Sequence, residues 1–146
     1  MPHSARHLVT ALGVLTLVVF PAGVLRAQSR PITGTYVVTL GAGDLRVTPG
    51  PIAARLAGKW SVTFGADGSY TVRKDGTDRV SGKYVMAGDE VTLTDIRGDF
   101  ACIGDGLEGV YNVKHVKNIV TFTKVKDTSC PGRVAALSSR PFTVVR

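Results

Sequence analysis

The chain has 146 residues, a formal net charge of +7 at pH 7, two cysteines and three histidines. This length favours one folded domain, and so few cysteines and histidines argue against a structural zinc site. The basic residues are scattered and lack accompanying aromatic side chains, so the sequence predicts no nucleic-acid interface.

Residues 1–27 are typical of a secretory signal peptide. Arg6 supplies a positive start, residues 8–25 are mainly apolar, and Ala27 offers a small residue for cleavage. An uncleaved membrane anchor is the alternative, because an apolar stretch of this length can just span a bilayer. We expect cleavage, leaving residues 28–146 as a single domain in the periplasm or outside the cell, with no transmembrane segment.

The rest of the chain alternates short apolar-polar stretches with tight turns such as Asp67-Gly68 and Asp75-Gly76, a pattern that predicts antiparallel hairpins. Residues 52–57 are expected to form one helical turn, which Pro51 begins and Gly58 ends. The stretches expected to give about eight strands are residues 35–40, 60–64, 70–72, 80–86, 90–96, 110–116, 118–125, 134–137 and 142–145.

Short turns between successive strands favour pairing of sequence neighbours. An up-and-down meander of eight strands closes into a barrel, which removes exposed sheet edges. Gly82 lies within one of these strands and indicates a bend or bulge, where a barrel wall curves. We therefore predict an all-β, antiparallel up-and-down barrel of about eight strands, with one short helical turn before the strand that contains Trp60.

Cys102 and Cys130 lie in loops on either side of one predicted hairpin. An even number of cysteines in an exported chain predicts a disulfide. Because a hairpin returns the chain close to its start, the two loops can meet at one end of the barrel. Closing a loop of this size stabilises the fold by roughly 3–4 kcal/mol in the chain-entropy model.

Gly58-Lys59-Trp60, at the start of the first long strand, resembles the glycine-x-tryptophan signature of the lipocalins and the wider calycin group. In that group the strand follows a short helical turn, and the tryptophan packs across the closed end of the barrel, often under an arginine from near the last strand. The resemblance implies that Gly58 and Trp60 are structural residues of the barrel end. Arg140 is the first candidate for the arginine, and Arg133 is the second.

A second set of segments is similar to small exported bacterial proteins that are described only as lipocalin-like. The similarity spans about residues 55–143 and rests on residues 88–95, 109–111 and 120–123, together with Asp127, Cys130 and Arg133. It implies a fold but no substrate, because fold and function separate easily.

Seven residues are predicted to face inward and line a ligand pocket in the barrel mouth. They are Phe64, Tyr70, Tyr84, Leu93, Tyr111, His115 and Phe122. The same residues would equally serve as the core of a barrel filled by its own side chains. His115 is interpreted as a wall or rim residue, and its alternative role is a general base.

No pattern of catalytic or metal-binding residues stands out. Asp95, Asp99, Asp105 and Glu108 gather in and beside residues 97–108, but their spacing matches no calcium loop, so we expect solvated loop acids. No serine or cysteine lies in a nucleophile elbow. We expect no enzyme activity, cofactor or metal; a lipocalin-like isomerase would need His115 and an inward-facing acid within hydrogen-bond reach.

The first functional hypothesis is an exported lipocalin-like protein that binds a small apolar or amphipathic ligand in the barrel mouth. The alternative is a non-enzymatic protein-interaction or protease-inhibitor-like module with a filled barrel. In that case the residues before the first strand, or the 41–51 loop, would enter a protease cleft. The partner is then a small hydrophobic ligand or another protein, and no nucleic acid.

Overall fold

Eight antiparallel strands form one closed barrel within residues 32–45, 48 and 50–145, the part of the chain that this computed structural model describes. Each strand pairs with its sequence neighbours, and β8 pairs with β1 to close the barrel. The predicted up-and-down barrel is therefore confirmed. The proposed signal peptide, residues 1–27, lies outside the described residues.

The strands are β1 (Gly34–Leu40), β2 (Gly58–Phe64), β3 (Ser69–Lys74), β4 (Thr77–Ala87), β5 (Glu90–Arg97), β6 (Gly109–Val116), β7 (Ile119–Lys126) and β8 (Phe142–Val145). A 3-10 helix (Ala42–Leu45) and helix α1 (Gly50–Leu56) join β1 to β2, and helix α2 (Pro131–Ser138) precedes β8.

The two ends of the barrel differ in construction. At one end, here called the turn end, short turns follow β2, β4 and β6. At the other, here called the helix end, lie the 3-10 helix, α1, α2 and the long loop of residues 98–108. Cys102 and Cys130 form the predicted disulfide there, with their Cα atoms 6.0 Å apart, and so tie that loop to the start of α2.

Helix α1 confirms the helical turn predicted before the Trp60 strand. The Trp60 indole Nε1 donates a hydrogen bond to the carbonyl oxygen of Leu56 at 2.7 Å, which fixes the tryptophan under the end of the helix. Both residues are buried. The bend expected at Gly82 is also present, since the β4–β5 register shifts between Ser81 and Gly82. A Cβ at Gly82 would lie 2.2 Å from the Thr94 carbonyl oxygen, so only glycine allows this close approach.

Residues 134–137, predicted as a strand, belong instead to α2. Pro131 stands in the first turn of the helix, where its missing N–H costs nothing. Arg133 and Leu137, one helical turn apart, are the helix residues that are fully buried. A run of four apolar residues has no decisive period, so the sequence pattern could not separate strand from helix here.

No helix among the described residues is long and apolar enough to cross a membrane.

Candidate functional site

Four of the residues predicted to line a ligand pocket pack against one another. Phe64 lies at their centre: its ring centroid is 5.0 Å from that of Tyr84 in an edge-on arrangement, 6.0 Å from that of Tyr70 and 6.3 Å from that of Phe122. Phe64, Tyr70 and Phe122 are buried, as are Leu93 and Tyr111. The aromatic residues therefore occupy the interior where a carrier would hold its ligand.

Side chains also cover part of the turn end, opposite Trp60, where Met86, Val113 and His115 border an open groove of about 640 Å³. Ile32 is buried there, and its carbonyl oxygen accepts a hydrogen bond from the Tyr36 hydroxyl at 2.8 Å. The Tyr84 hydroxyl donates to the Gly65 carbonyl oxygen at 2.8 Å. His115 is half-buried, and its ring centroid is 6.2 Å from that of Tyr36. It thus contributes to the wall of the turn end.

A small apolar cavity remains at the helix end. Its volume is about 40 Å³, and it lies among Trp60, Val80, Phe100 and Leu137, with Tyr70, Asp95 and Arg133 at its polar side. Ligand pockets in proteins typically enclose about 300–1,000 Å³, whereas a single water needs only about 10–15 Å³. The cavity can therefore hold a few water-sized molecules and is too small for a lipid or other carrier cargo.

Beside this cavity is a buried cluster of charged and polar groups, centred on Arg133. Its Nε donates to Asp127 Oδ2 at 2.6 Å, and its terminal nitrogens donate to Asp95 Oδ1 at 3.0 Å and to the Leu107 carbonyl oxygen at 2.5 Å. The three charged side chains are each less than a tenth exposed. One guanidinium from α2 therefore bridges a carboxylate at the end of β5 and another just after β7.

Two tyrosines complete the coordination of the carboxylates. The Tyr70 hydroxyl donates to Asp95 Oδ1, and the Tyr111 hydroxyl donates to Asp127 Oδ2. The other oxygen of Asp95 accepts the backbone N–H of Cys102 at 2.7 Å, next to the disulfide. Buried charges are tolerated when their hydrogen bonds are made, and here each charged group has several partners.

The surroundings of this cluster shift the pKa values of its two tyrosines and of Arg133. Burial raises the pKa of both Tyr70 and Tyr111, and the neighbouring carboxylates raise it further. Burial alone would lower the pKa of Arg133, but its hydrogen bond to Asp127 and the charge of Asp95 raise it overall. The tyrosines thus stay neutral donors and the arginine stays cationic around neutral pH.

Two expectations about single residues are corrected. Arg140 is more than half exposed and its nearest acid is Asp44 at 3.6 Å, whereas Arg133 is buried and lines the same cavity as Trp60. Of the two candidates, Arg133 is therefore the buried arginine at the helix end. Asp95, expected to be a solvated loop acid, is buried at the end of β5.

A signal for Asp95 was present in the sequence. Val91, Leu93 and Asp95 alternate along β5, and all three are buried on the inner face. A carboxylate at the next inward-facing position of this strand needs a buried hydrogen-bonding partner. Its presence therefore predicts a positively charged side chain that also points into the barrel. Asp99 does fit the expectation, since it is exposed and pairs with Arg79 at 2.6 Å.

The sulfur atoms of Cys102 and Cys130 lie near Asp95, but they are bonded to each other and so are not available as metal ligands.

Comparison of the chain with protein-family models, with curated protein sequences and with solved structures returned no match. The closed eight-stranded antiparallel barrel is consistent with a calycin-like fold.

Proposed function

We propose that this protein is an exported, calycin-like interaction module whose barrel serves as a filled scaffold, and that it meets its partner through its outer surface and loops. The observation that carries this proposal is the packing of Phe64 against Tyr70, Tyr84 and Phe122 in the space where a carrier would hold a ligand. A ligand of carrier size could enter the space that Phe64 fills only if these rings moved together. The packed interior therefore supports an interaction module over a carrier.

The polar groups inside the barrel support a role without catalysis. Arg133, Asp95 and Asp127 are already paired with one another and with tyrosine hydroxyls. General acid–base catalysis needs a group that can change protonation near the working pH and can reach a substrate. These buried groups are already hydrogen-bonded to one another and are not placed to reach a substrate.

The calycin-like relationship is supported by the arrangement around Trp60. A helical turn precedes the tryptophan, the indole lies at the closed helix end, and Arg133 lines the same cavity. The disulfide between Cys102 and Cys130 is consistent with an oxidising compartment, and so supports export.

The experiment that tests this proposal measures whether the interior can accept an apolar molecule. The exported protein would be purified without detergent, analysed by native mass spectrometry, and titrated with a fluorescent fatty-acid analogue. We expect the bare protein mass and no saturable fluorescence. Phe64→Ala is the matched positive control, because removal of the central ring opens a cavity that can take an apolar probe.

A bound molecule released from the wild-type protein on denaturation would overturn the proposal in favour of a carrier. So would saturable binding of the fatty-acid analogue by the wild type with the affinity seen for Phe64→Ala. Binding by Phe64→Ala alone would support the filled scaffold, since it shows that the assay detects an interior site when one exists.

A further inference from the structure

The β6–β7 hairpin carries an unusual distribution of charge. Residues 109–126 contain four lysines, at positions 114, 117, 124 and 126, and no aspartate or glutamate. All four lysines are exposed. None of them takes part in the ion pairs found among residues 32–45, 48 and 50–145. The charged side chains of the hairpin itself are therefore all positive.

Exposed aliphatic side chains lie among these lysines at the end of the hairpin. Val116 and Ile119 are register partners on either side of the Lys117-Asn118 turn, and Val116 is 53% exposed while Ile119 is 36% exposed. Val145 is 49% exposed. It lies beside the turn, because the N–H of the preceding residue, Val144, donates to the Asn118 carbonyl oxygen at 2.9 Å. We call Lys114, Val116, Lys117, Ile119 and Val145 the hairpin tip.

The hairpin tip projects beyond its neighbour on the β5 side. The β5–β6 register ends where Glu90 pairs with Asn112, and the last contact is the Val113 N–H bonded to the Asp89 carbonyl oxygen at 2.7 Å. Residues 114–116 and the turn extend past this point by roughly 10 Å at the usual rise per strand residue. The tip therefore stands clear of β5, while β8 runs beside it on the other side.

Interior packing does not account for these aliphatic residues, because β6 and β7 already send Val113, Val120 and Phe122 into the core. A partner whose surface carries anionic groups above an apolar layer would bind the lysines of the hairpin tip and also contact its aliphatic side chains. Lysines at a membrane surface bind acidic headgroups, and apolar side chains beside them enter the boundary between headgroups and acyl chains. An anionic polymer would use the lysines alone.

We propose that the hairpin tip is a docking site for an anionic lipid surface, held by Lys114 and Lys117 and seated by Val116, Ile119 and Val145. Two acids lie beside Lys114: the exposed Asp89, which lines the same groove, and the half-buried Glu90 of β5, which is the register partner of Asn112. Neither forms an ion pair with Lys114 in the part of the chain that the structure describes. The inference goes beyond the proposed function, since a barrel with a hollow interior could carry the same tip.

The test uses the exported, processed protein and vesicles of phosphatidylcholine with or without a third of phosphatidylglycerol. We expect binding to the phosphatidylglycerol vesicles only, weakened by added salt. The double variant Lys114→Gln/Lys117→Gln should lower the partition coefficient roughly twentyfold, since each surface lysine contributes about a fivefold factor. Lys59→Gln/Lys83→Gln removes the same charge from β2 and β4 and should leave at least half of the binding.

A second variant separates a lipid surface from an anionic polymer. Val116→Ser/Ile119→Ser keeps every charge, and we expect it to weaken vesicle binding severalfold while binding of dextran sulfate stays unchanged. Equal binding of wild type to both kinds of vesicle would overturn the proposal, as would equal loss in the two lysine double variants. If Val116→Ser/Ile119→Ser bound vesicles as well as the wild type does, the lipid proposal would be overturned in favour of an anionic polymer.

The variants replace exposed side chains, and their unfolding midpoints provide the check on folding. If a double variant does not fold, the single variants Lys114→Gln and Lys59→Gln make the same comparison. A failure here is distinct from a failure of the filled-scaffold proposal, because vesicle binding reports the hairpin tip and probe binding reports the barrel interior.

Discussion

Arg133 Nε donates to Asp127 Oδ2 at 2.6 Å, and this bond ties the first turn of α2 to the end of β7 across the helix end of the barrel. The same guanidinium reaches Asp95 at the end of β5. One side chain thus holds the helix onto two strands that are not neighbours in the sheet. Removing it leaves two carboxylates buried without their cation.

Arg133→Met is therefore expected to lower the free energy of unfolding by about 3–5 kcal/mol, the usual cost of leaving a buried charge without its partner. The measurement is urea-induced unfolding followed by tryptophan fluorescence, which reports the single Trp60. Arg133→Lys keeps the positive charge but loses the forked geometry of the guanidinium. Its free energy of unfolding should therefore lie between those of the wild type and Arg133→Met.

Arg140→Met is the matched control for Arg133→Met. Its side chain is exposed and its ion pair with Asp44 is long, so we expect a change of at most about 1 kcal/mol. Equal losses from the two arginines would contradict the assignment of Arg133 as the arginine that closes the barrel end.

Gly109→Ala tests how tightly the cluster is packed. A Cβ at this position would lie 2.6 Å from Asp127 Oδ2 and 2.7 Å from Arg133 Nε. These atoms are hydrogen-bonded to each other and cannot move without breaking that bond. We expect a loss of about 1–3 kcal/mol in the free energy of unfolding, as is typical of overpacking.

Gly132→Ala provides the comparison for Gly109→Ala. Apart from its chain neighbours and the backbone of its own helix, no atom lies within 4 Å of the added methyl group, and the residue is in α2, where alanine is the better helix former. We expect no loss and a gain of up to about 1 kcal/mol. If Gly109→Ala were as harmless as Gly132→Ala, the cluster would be looser than these distances indicate.

The raised pKa values of Tyr70 and Tyr111 predict a loss of stability at alkaline pH. Both hydroxyls have folded-state pKa values above the ordinary value of 10.0, chiefly because burial disfavours the phenolate. The unfolded chain therefore releases these protons first as the pH rises. Their contribution to stability is fully present below about pH 10 and is lost progressively above it.

The measurement is the free energy of unfolding as a function of pH, together with the phenolate absorbance of the folded protein. Only part of the absorbance expected from the four tyrosines should appear before the protein unfolds. Tyr111→Phe should reduce the slope of stability against pH above about pH 10. Full ionisation of all four tyrosines in a protein that remains folded would contradict the burial of these hydroxyls.

Replacing both cysteines by serine is expected to lower the free energy of unfolding by roughly 3–4 kcal/mol, because the disulfide closes a loop with a sequence separation of 28. Urea unfolding of the oxidised wild type, the reduced wild type and the double variant provides the test. The reduced wild type and the double variant should have the same free energy of unfolding. A reduced protein as stable as the oxidised one would show that the cluster around Asp95 holds the 98–108 loop without the disulfide.

Much of the barrel could be predicted from local pattern. The alternation of Trp60, Val62 and Phe64, and the turns at Asp75-Gly76 and Lys117-Asn118, specify strands and hairpins by rules that act over a few residues. The pairing of Cys102 with Cys130 was likewise predictable, since two cysteines allow one intramolecular bond.

The α2 helix could not be predicted in this way. Residues 134–137 are too few to show a period, and the helix exists because Arg133 and Leu137 find buried partners at the barrel end. The choice between Arg133 and Arg140 also depends on tertiary contacts. Both arginines come shortly before the last strand, and only the position of Asp95 and Asp127 in space makes one of them the internal cation.

The sequence by itself determined an all-β meander with a disulfide and an aromatic inner face, because side-chain alternation and turn chemistry are local properties. Whether the interior of the barrel is hollow or filled depends on the distance between opposite walls and on whether their side chains meet. The contact of Phe64 with Tyr84 and Phe122 joins β2, β4 and β7, residues far apart in the chain. Only the closed barrel brings those side chains together, and so only the tertiary structure decided that they form a core.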